Sequence, residues 1–340
     1  MTIDARIAAQ GLAGVRATTA ETAVARVVVV QAQAPGPPRL AIRARTEGVT
    51  VSDVDSATAA GRLVRTWLLR GTLHLAVAED LRWLVDLCGP VFAAAGRRRR
   101  EQLGLDEERC RRAFAVFGEV LADGRPRTRA ELMVEMTTAG VPIDVGTQAP
   151  PHLLAYAANS GLLCRGPDTD SAQPTYTLLD DYVPPAEPVP RAAALVELAR
   201  RYLAGHGPAT EADFRYWTGF PASDTKPAFA TLDVVELPDG TVALPDTDLS
   251  PASARARLLG HFDPLLLGYR DRTPILDPAH AGRIQAGGGF VQPAVLAGGR
   301  VVGTWALRGS TVVVEPFTTV PSLDDEIADL ARFLERHLSR

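Results

Sequence analysis

Four short stretches carry residue types that could do chemistry. In Val27-Val28-Val29-Val30-Gln31-Ala32-Gln33-Ala34-Pro35, two amides stand two positions apart where an apolar run meets a proline. Proline disfavours helical angles in the residue before it, so the run is predicted as a helix stopping at this motif. A polar helix end accounts for the glutamines as readily as a site does. In Arg65-Thr66-Trp67-Leu68-Leu69-Arg70-Gly71-Thr72-Leu73-His74-Leu75, a helix with Trp67 on its apolar side is predicted to break at Gly71. A short strand then carries His74, either into a site or into a packed turn that satisfies it. His261-Phe262-Asp263-Pro264-Leu265-Leu266-Leu267-Gly268-Tyr269-Arg270-Asp271-Arg272 places polar residues around a buried aliphatic run. Arg270 and Arg272 could reach phosphates; ion pairs to Asp263 or Asp271 are the structural alternative. Gly287-Gly288-Gly289-Phe290-Val291-Gln292-Pro293 reads as a mobile hairpin tip, because no helix N-terminus follows the glycines to make a phosphate cradle.

These stretches must be positioned by something, and the strongest internal signal is a repeat. Leu121–Leu132 and Leu203–Phe214 share the pattern L-A-x-x-x-P-x-T-x-A-[ED]-[LF] without a gap, 82 positions apart. An amphipathic helix ends at the Gly-Pro region. Thr128 or Thr210 then caps a new helix, with Glu131 or Asp213 completing a capping box. In each copy a further short helix and strand–turn–strand follow. In the second copy the turn is Pro238-Asp239-Gly240. Three helices and a β-hairpin make a winged helix, present twice on either side of a Pro-rich linker over 182–190. Upstream, helices are predicted near 20–30, 55–69, 79–95 and 107–122. Downstream, strands are predicted at 290–296, 300–308 and 311–315, with Gly298-Gly299 as a two-residue hairpin. A last helix is predicted over 323–338, capped by Ser322.

The chain has 340 residues, 46% hydrophobic and 22% charged. That balance excludes a disordered or fibrous protein. The length suggests about two domains of roughly 150 residues, or one built from repeats. The net charge is −4, but residues 1–140 hold 20 Arg against 16 acids, while the rest holds 16 Arg and Lys against 24 acids. A basic front can face a phosphate backbone. The run Arg97–Arg100, followed by acids, reads as a solvated helix face. Three scattered cysteines, Cys88, Cys110 and Cys164, lack metal-site spacing and imply a reducing cytoplasm. The start of the chain has no signal-peptide pattern, and no apolar run is long enough to span a membrane. There is one lysine, Lys226, in a Pro-flanked loop, so Schiff-base chemistry has one candidate. No GxSxG, HExxH, Walker A or GxGxxG motif is present, and no carboxylate pair sits in an apolar setting.

In combination, Gln31–Pro35, Trp67–Leu75, Phe262–Arg272 and Gly298–Trp305 resemble the AlkZ/YcaQ family of bacterial winged-helix DNA glycosylases. The resemblance runs in order over nearly the whole chain. It implies an α+β, mainly helical fold of three tandem winged helices with a β-rich C-terminal part. The parts would be an N-terminal winged-helix region over 1–120 carrying the glutamines, winged helices over 121–183 and 191–250, and the β-rich region over 251–340. It implies a monomer on double-stranded DNA containing alkylated bases, with no metal or other cofactor. The family motif is glutamine–apolar–glutamine in the AlkZ branch, with Asp at the second glutamine in the YcaQ branch. Gln31-Ala32-Gln33 resembles the AlkZ form, which makes Gln31 and Gln33 the catalytic candidates. Arg70 and His74 are candidates for a phosphate or the lesion, as are Arg270 and Arg272 for phosphates. Gly288, Gly289 and Gln292 belong to a hairpin that could probe a groove.

The implied chemistry can be argued further. Breaking an N-glycosidic bond passes through an oxocarbenium-like sugar. A glutamine oxygen can orient water and place partial negative charge near the sugar, but it cannot deprotonate water. Such a site suits an excellent leaving group, a cationic N7- or N3-alkylated purine, and not uracil. With Lys226 remote in sequence, the expected product is an intact abasic site. The competing readings are a winged-helix transcription regulator without catalysis, which would usually bind as a symmetric dimer, and a non-catalytic shield for damaged DNA, which would lack the glutamines.

Overall fold

The structure, a computed structural model, describes residues 2–34, 36–250 and 255–338. The chain forms two compact units, Thr58–Ala194 and the pair Met1–Ala57 with Leu195–Arg340. The fold is α+β and mainly helical.

The unit Thr58–Ala194 holds the first repeat copy. Asp106 caps the helix Glu107–Leu121 by accepting from the Arg109 amide. Thr128 and Glu131 make the full capping box at the start of Arg129–Thr138. The helix Ala149–Asn159 and the strands Leu163–Arg165 and Thr175–Leu178 follow. Phe117, Leu121, Leu132, Met136, Leu153 and Ala157 share one buried core. The strand Arg127–Thr128 closes the sheet against Thr175 and Tyr176.

Upstream the prediction of one helix over 55–69 is wrong. The helix is Val51–Ala59, and Leu63–Trp67 is a strand paired with Leu73–Val77. Gly61, at φ +70°, ends the helical stretch, and Leu-Val-Arg-Thr-Trp is rich in residues that fit a pleated surface. This hairpin extends the wing sheet through Arg65 opposite Arg165. The following helix is longer than predicted, Ala78–Gln102. It crosses Ala149–Asn159 so closely at Gly89 that an added Cβ would lie 2.0 Å from the Asn159 carbonyl oxygen. The arginine run is only partly a solvated face. Arg97 pairs with Glu101, whereas Arg100 is buried, stacks on Tyr156 and donates to the Ala93 carbonyl.

The other unit holds the second copy. Its helices are Arg191–His206, Glu211–Thr218 and Ala222–Ala230, with a capping box of Thr210 and Asp213. The wing is the short pair Val235–Glu236 and Val242–Ala243. Ala209 bridges Val242 as Arg127 bridges Tyr176 in the first copy, so the duplication extends to the third wing strand. Lys226 lies exposed on the helix Ala222–Ala230 rather than in a loop.

The C-terminal part is an antiparallel sheet in the order Thr311–Pro316, Arg300–Arg308, Ala294–Ala297, Arg257–Leu259. Gly298 and Gly299, both at positive φ, form the two-residue turn between Ala297 and Arg300. The strand predicted from 290 begins only at Ala294, because residues 285–291 form a small hairpin of their own. The helix Asp324–Phe333 is shorter than predicted and its N-cap is Leu323, not Ser322. Its Ile327 and Leu330 pack with Leu258, Val295 and Trp305.

Candidate active site

The helix Ala20–Arg26 starts at Thr19, whose side chain accepts from the Thr22 amide, and ends at Val27. Gln31 and Gln33 therefore do not sit on a helix end. Four consecutive valines are poor helix formers, since each loses χ1 freedom against the preceding turn. The chain instead turns at Val28, which adopts φ +69°, and enters the strand Val30–Gln31. A β-branched residue rarely adopts that angle, and holding it costs about 1–3 kcal/mol. Surroundings must enforce it. Val27–Val30 are fully packed, Gln31 is 9% exposed and Ala32 is buried. Gln33 is exposed to solvent.

The Val29 amide closes the turn on the Val27 carbonyl at 2.8 Å, and further contacts come from residues distant in sequence. His206 and the Val27 carbonyl are 3.2 Å apart through Nε2. A carbonyl can only accept, so Nε2 carries the proton and Nδ1 is the acceptor. Gln10 Nε2 donates to that Nδ1 and also to the Tyr269 hydroxyl, each at 3.2 Å. The Tyr269 hydroxyl donates to the His206 carbonyl at 2.7 Å. Gln10 Oε1 accepts from Arg45 at 2.6 Å, and Arg45 grips Asp263 with two bonds of 2.8 and 2.9 Å. Burial pushes the His206 ring down to about 3, so it is neutral near pH 7. Gly205 abuts the helix end so closely that a Cβ would lie 2.0 Å from the Arg26 carbonyl oxygen.

The helix after the motif, Gly36–Arg45, is pinned as well. Arg43 is fully buried and bonds Glu326, Asp329 and the Leu258 carbonyl. The motif thus lies between two anchored segments.

The stretch His261–Arg272 is held by contacts other than the expected ion pairs. Neither Asp263 nor Asp271 is the salt-bridge partner of Arg270 or Arg272. Asp263 holds Arg45, and Asp271 accepts from the Thr273 amide and hydroxyl. Arg272 bonds the Leu266 carbonyl and the Tyr216 hydroxyl, which fixes it in the structure. Arg270 exposes its guanidinium and ties its amide to Asp213. Phe262, at φ +57°, turns the chain into Asp263 and packs its ring edge-on to Phe290, 5.0 Å away. Phe290 belongs to the tip that holds Gly287, Gly288 and Gly289, all at positive φ. Adding a Cβ to any of the three would meet nothing. Gln292 leaves this tip with its amide on the Ile284 carbonyl and lines a cleft of about 360 Å³ beside His261 and Trp305.

Arg70 and His74 belong to the unit Thr58–Ala194. Arg70, at φ +54°, and Gly71 make the turn between Trp67 and Leu73. Trp67 is therefore on a strand, with Arg165 over its ring at 5.3 Å. His74 is buried opposite Thr66, and its Nδ1 donates to the Thr72 carbonyl at 2.9 Å. Burial, helped by the positive charge of Arg70, pushes its ring down to about 3. It is a neutral histidine with one ring nitrogen committed to the turn. Each of the first three stretches thus contains a non-glycine residue at positive φ: Val28, Arg70 and Phe262.

Residues 24–339 match the family described as DNA glycosylase AlkZ-like. The chain belongs to this family of DNA glycosylases. It is 27% identical to the interstrand DNA cross-link repair glycosylase of Streptomyces sahachiroi, over 92% of this chain and 90% of that one. The solved structure of the Streptomyces sahachiroi DNA glycosylase AlkZ has the same fold, with a TM-score of 0.83 at 24% identity, covering 99% of this chain and 98% of that chain. Among the described residues no helix is long and apolar enough to cross a membrane.

The residues that sequence reasoning missed are Gln10, Arg45 and His206. His206 had one signal: it stands where the first repeat copy has Gly124.

Proposed function

We propose that this chain hydrolyses the N-glycosidic bond of cationic N7- or N3-alkylated purines in duplex DNA, and that Gln31 and Gln33 orient the attacking water. The observation that carries the reading is an amide pair, not a carboxylate pair, at the end of a strand that leaves a buried, hydrogen-bonded turn in a member of a DNA glycosylase family. An amide supplies orientation and partial charge, and no strong base. The leaving group must then bring its own charge, as an alkylated purinium does.

A cross-link through purine N7 is cationic for the same reason. The relative named for interstrand cross-link repair therefore extends the proposed substrates to such lesions. Exposed on its helix, Lys226 lacks the buried setting that activates a lysine nucleophile. The product is an abasic site in an uncut strand, and the protein acts as a monomer. The four-part division into three winged helices and a β-rich C-terminal region is part of this reading. So is the contact of Arg70, Arg270, Gly288, Gly289 and Gln292 with DNA, while His74, buried with its Nδ1 on the Thr72 carbonyl, would contribute by holding the turn that carries Arg70. Arg272, held by Tyr216 and Leu266, would contribute by positioning the segment.

The test is incubation with a duplex containing one N7-methylguanine. Strand cleavage only after alkali supports the reading. No cleavage overturns the substrate assignment, and cleavage without alkali overturns the monofunctional one.

A further inference from the structure

We infer that His206 is a positioning residue for Gln31, acting through its Nε2 proton on the Val27 carbonyl. This rests on the proposed role of Gln31 above. Val28 is held at an angle that a valine avoids when left to itself. The carbonyl preceding that angle is the Val27 carbonyl, which accepts from the Val29 amide at 2.8 Å to close the turn and from the His206 side chain at 3.2 Å to hold its orientation. If that carbonyl rotates, Val28 relaxes and the strand Val30–Gln31 swings with it.

The rest of the network serves this one bond. A histidine has two neutral tautomers, and only the Nε2-protonated one can donate to Val27. Gln10, donating to Nδ1, selects that tautomer. Gln10 could present its oxygen to His206 instead, but Arg45 claims that oxygen. Arg45 is in turn held by both oxygens of Asp263. The chain of cause thus runs from Asp263 to Arg45, to the Gln10 amide orientation, to the His206 tautomer, to the Val27 carbonyl. It explains why the stretch Phe262–Arg272, far from the glutamines in sequence, accompanies them. His206 is fully buried with both ring nitrogens occupied, so it does not reach DNA or the reacting atoms.

Two variants isolate the bond. His206→Phe keeps a ring to stack on Tyr202, now 5.0 Å from the His206 ring, and has no donor. His206→Gln can place an amide N–H where Nε2 stands. Both lose the Nδ1 acceptor, so their difference reports the Nε2 donor. On an N7-methylguanine duplex at saturating enzyme, His206→Phe should slow single-turnover excision at least tenfold. The half-saturating enzyme concentration should change less than twofold, and His206→Gln should stay within threefold of the wild type. Equal rates in the two variants overturn the proposal. A Gln31→Ala control at the wild-type rate overturns the site itself; a slow control beside a wild-type His206→Phe overturns the positioning role alone. A second measurement needs no substrate: amides of residues 24–34 should exchange at least tenfold faster in His206→Phe than in His206→Gln, and equal exchange overturns the proposal. If His206→Phe does not fold, Tyr269→Phe replaces it, removing one hydroxyl that serves both Gln10 and the His206 carbonyl. A threefold or larger rate loss at unchanged half-saturation supports the inference, and a wild-type rate overturns it.

Discussion

Arg45 and Asp263 form a two-pronged ion pair, 2.8 and 2.9 Å long, with both side chains fully removed from solvent. Taking two charges out of water costs about as much as their attraction returns, so such a pair is weak ground for stability. What it provides here is direction, because it fixes which atom of Gln10 faces His206. Breaking it is a different matter from replacing it. A lone buried charge is expensive.

Asp263→Asn should therefore cost about 3–5 kcal/mol of stability, the usual loss when one partner of a buried pair is removed. In a domain-sized unit this lowers Tm by roughly 10 °C. Arg45→Leu combined with Asp263→Leu should lose less than either single change, a coupling that a double-mutant cycle reads directly. A loss below about 1 kcal/mol in Asp263→Asn, measured by thermal or urea unfolding, would mean the pair is not what orders this core.

Gln31→Ala and Gln33→Ala should each slow excision at least tenfold, about 1.4 kcal/mol of transition-state stabilisation, with DNA affinity little changed. Gln33 is the cleaner probe. It is exposed, so its removal should move stability by no more than about 0.5 kcal/mol. Near-wild-type single-turnover rates in both variants would remove the pair from the mechanism.

Much of this architecture is legible in the sequence because it rests on local signals. Thr128 with Glu131 and Thr210 with Asp213 are capping boxes that any reader of the repeat can find, and both form. Gly298-Gly299 is likewise a local instruction. The failures have a common cause. Val27–Val30 read as a helical run because four apolar residues carry no period, and the turn at Val28, closed by the Val29 amide on the Val27 carbonyl, also engages His206, whose hydrogen bond spans 179 positions. Trp67 read as helical for the same reason; the strand is fixed by pairing with Leu73–Val77. Asp263 was visible as a charged residue in the right stretch, but its partner Arg45 lies 218 positions away. No spacing rule connects them.

Duplex binding should weaken steeply with salt, since each Arg–phosphate contact releases counterions. A log–log slope of several units is expected, with about 0.9 per phosphate contacted. Arg270, whose guanidinium is exposed, is the sharpest test. Arg270→Ala should flatten the slope by about one unit and weaken all sequences alike. Arg272→Ala should instead lower stability, because that side chain bonds Leu266 and Tyr216. Fluorescence anisotropy across salt concentrations separates the two, and an unchanged slope in Arg270→Ala takes this residue out of the interface.

The pH dependence should separate chemistry from stability. Glutamine does not titrate, and an alkylated purine, already cationic in the strand, takes the bonding pair and leaves as a neutral base without being protonated. His74 is held down to about 3 by burial and by Arg70, so it adds no inflection near its ordinary value of about 6.5. Excision of N7-methylguanine should be flat between about pH 6.5 and 8. Stability should not be flat below that range. His74 and His206 both bind a proton less readily when folded than when unfolded. Their contribution is complete above about pH 6.5 and is lost as pH falls toward 3, because the unfolded chain takes up protons that the folded chain refuses. Each can contribute a slope of up to about 1.4 kcal/mol per pH unit. A fall in activity at acid pH should therefore track the unfolded fraction measured by circular dichroism. The same chemistry forbids uracil as a substrate, since nothing at an amide site supplies the charge its leaving group lacks. A rate that climbs tenfold per pH unit in folded protein, or efficient uracil release, would show that a strong base acts at this site and that Gln31 and Gln33 are the wrong residues.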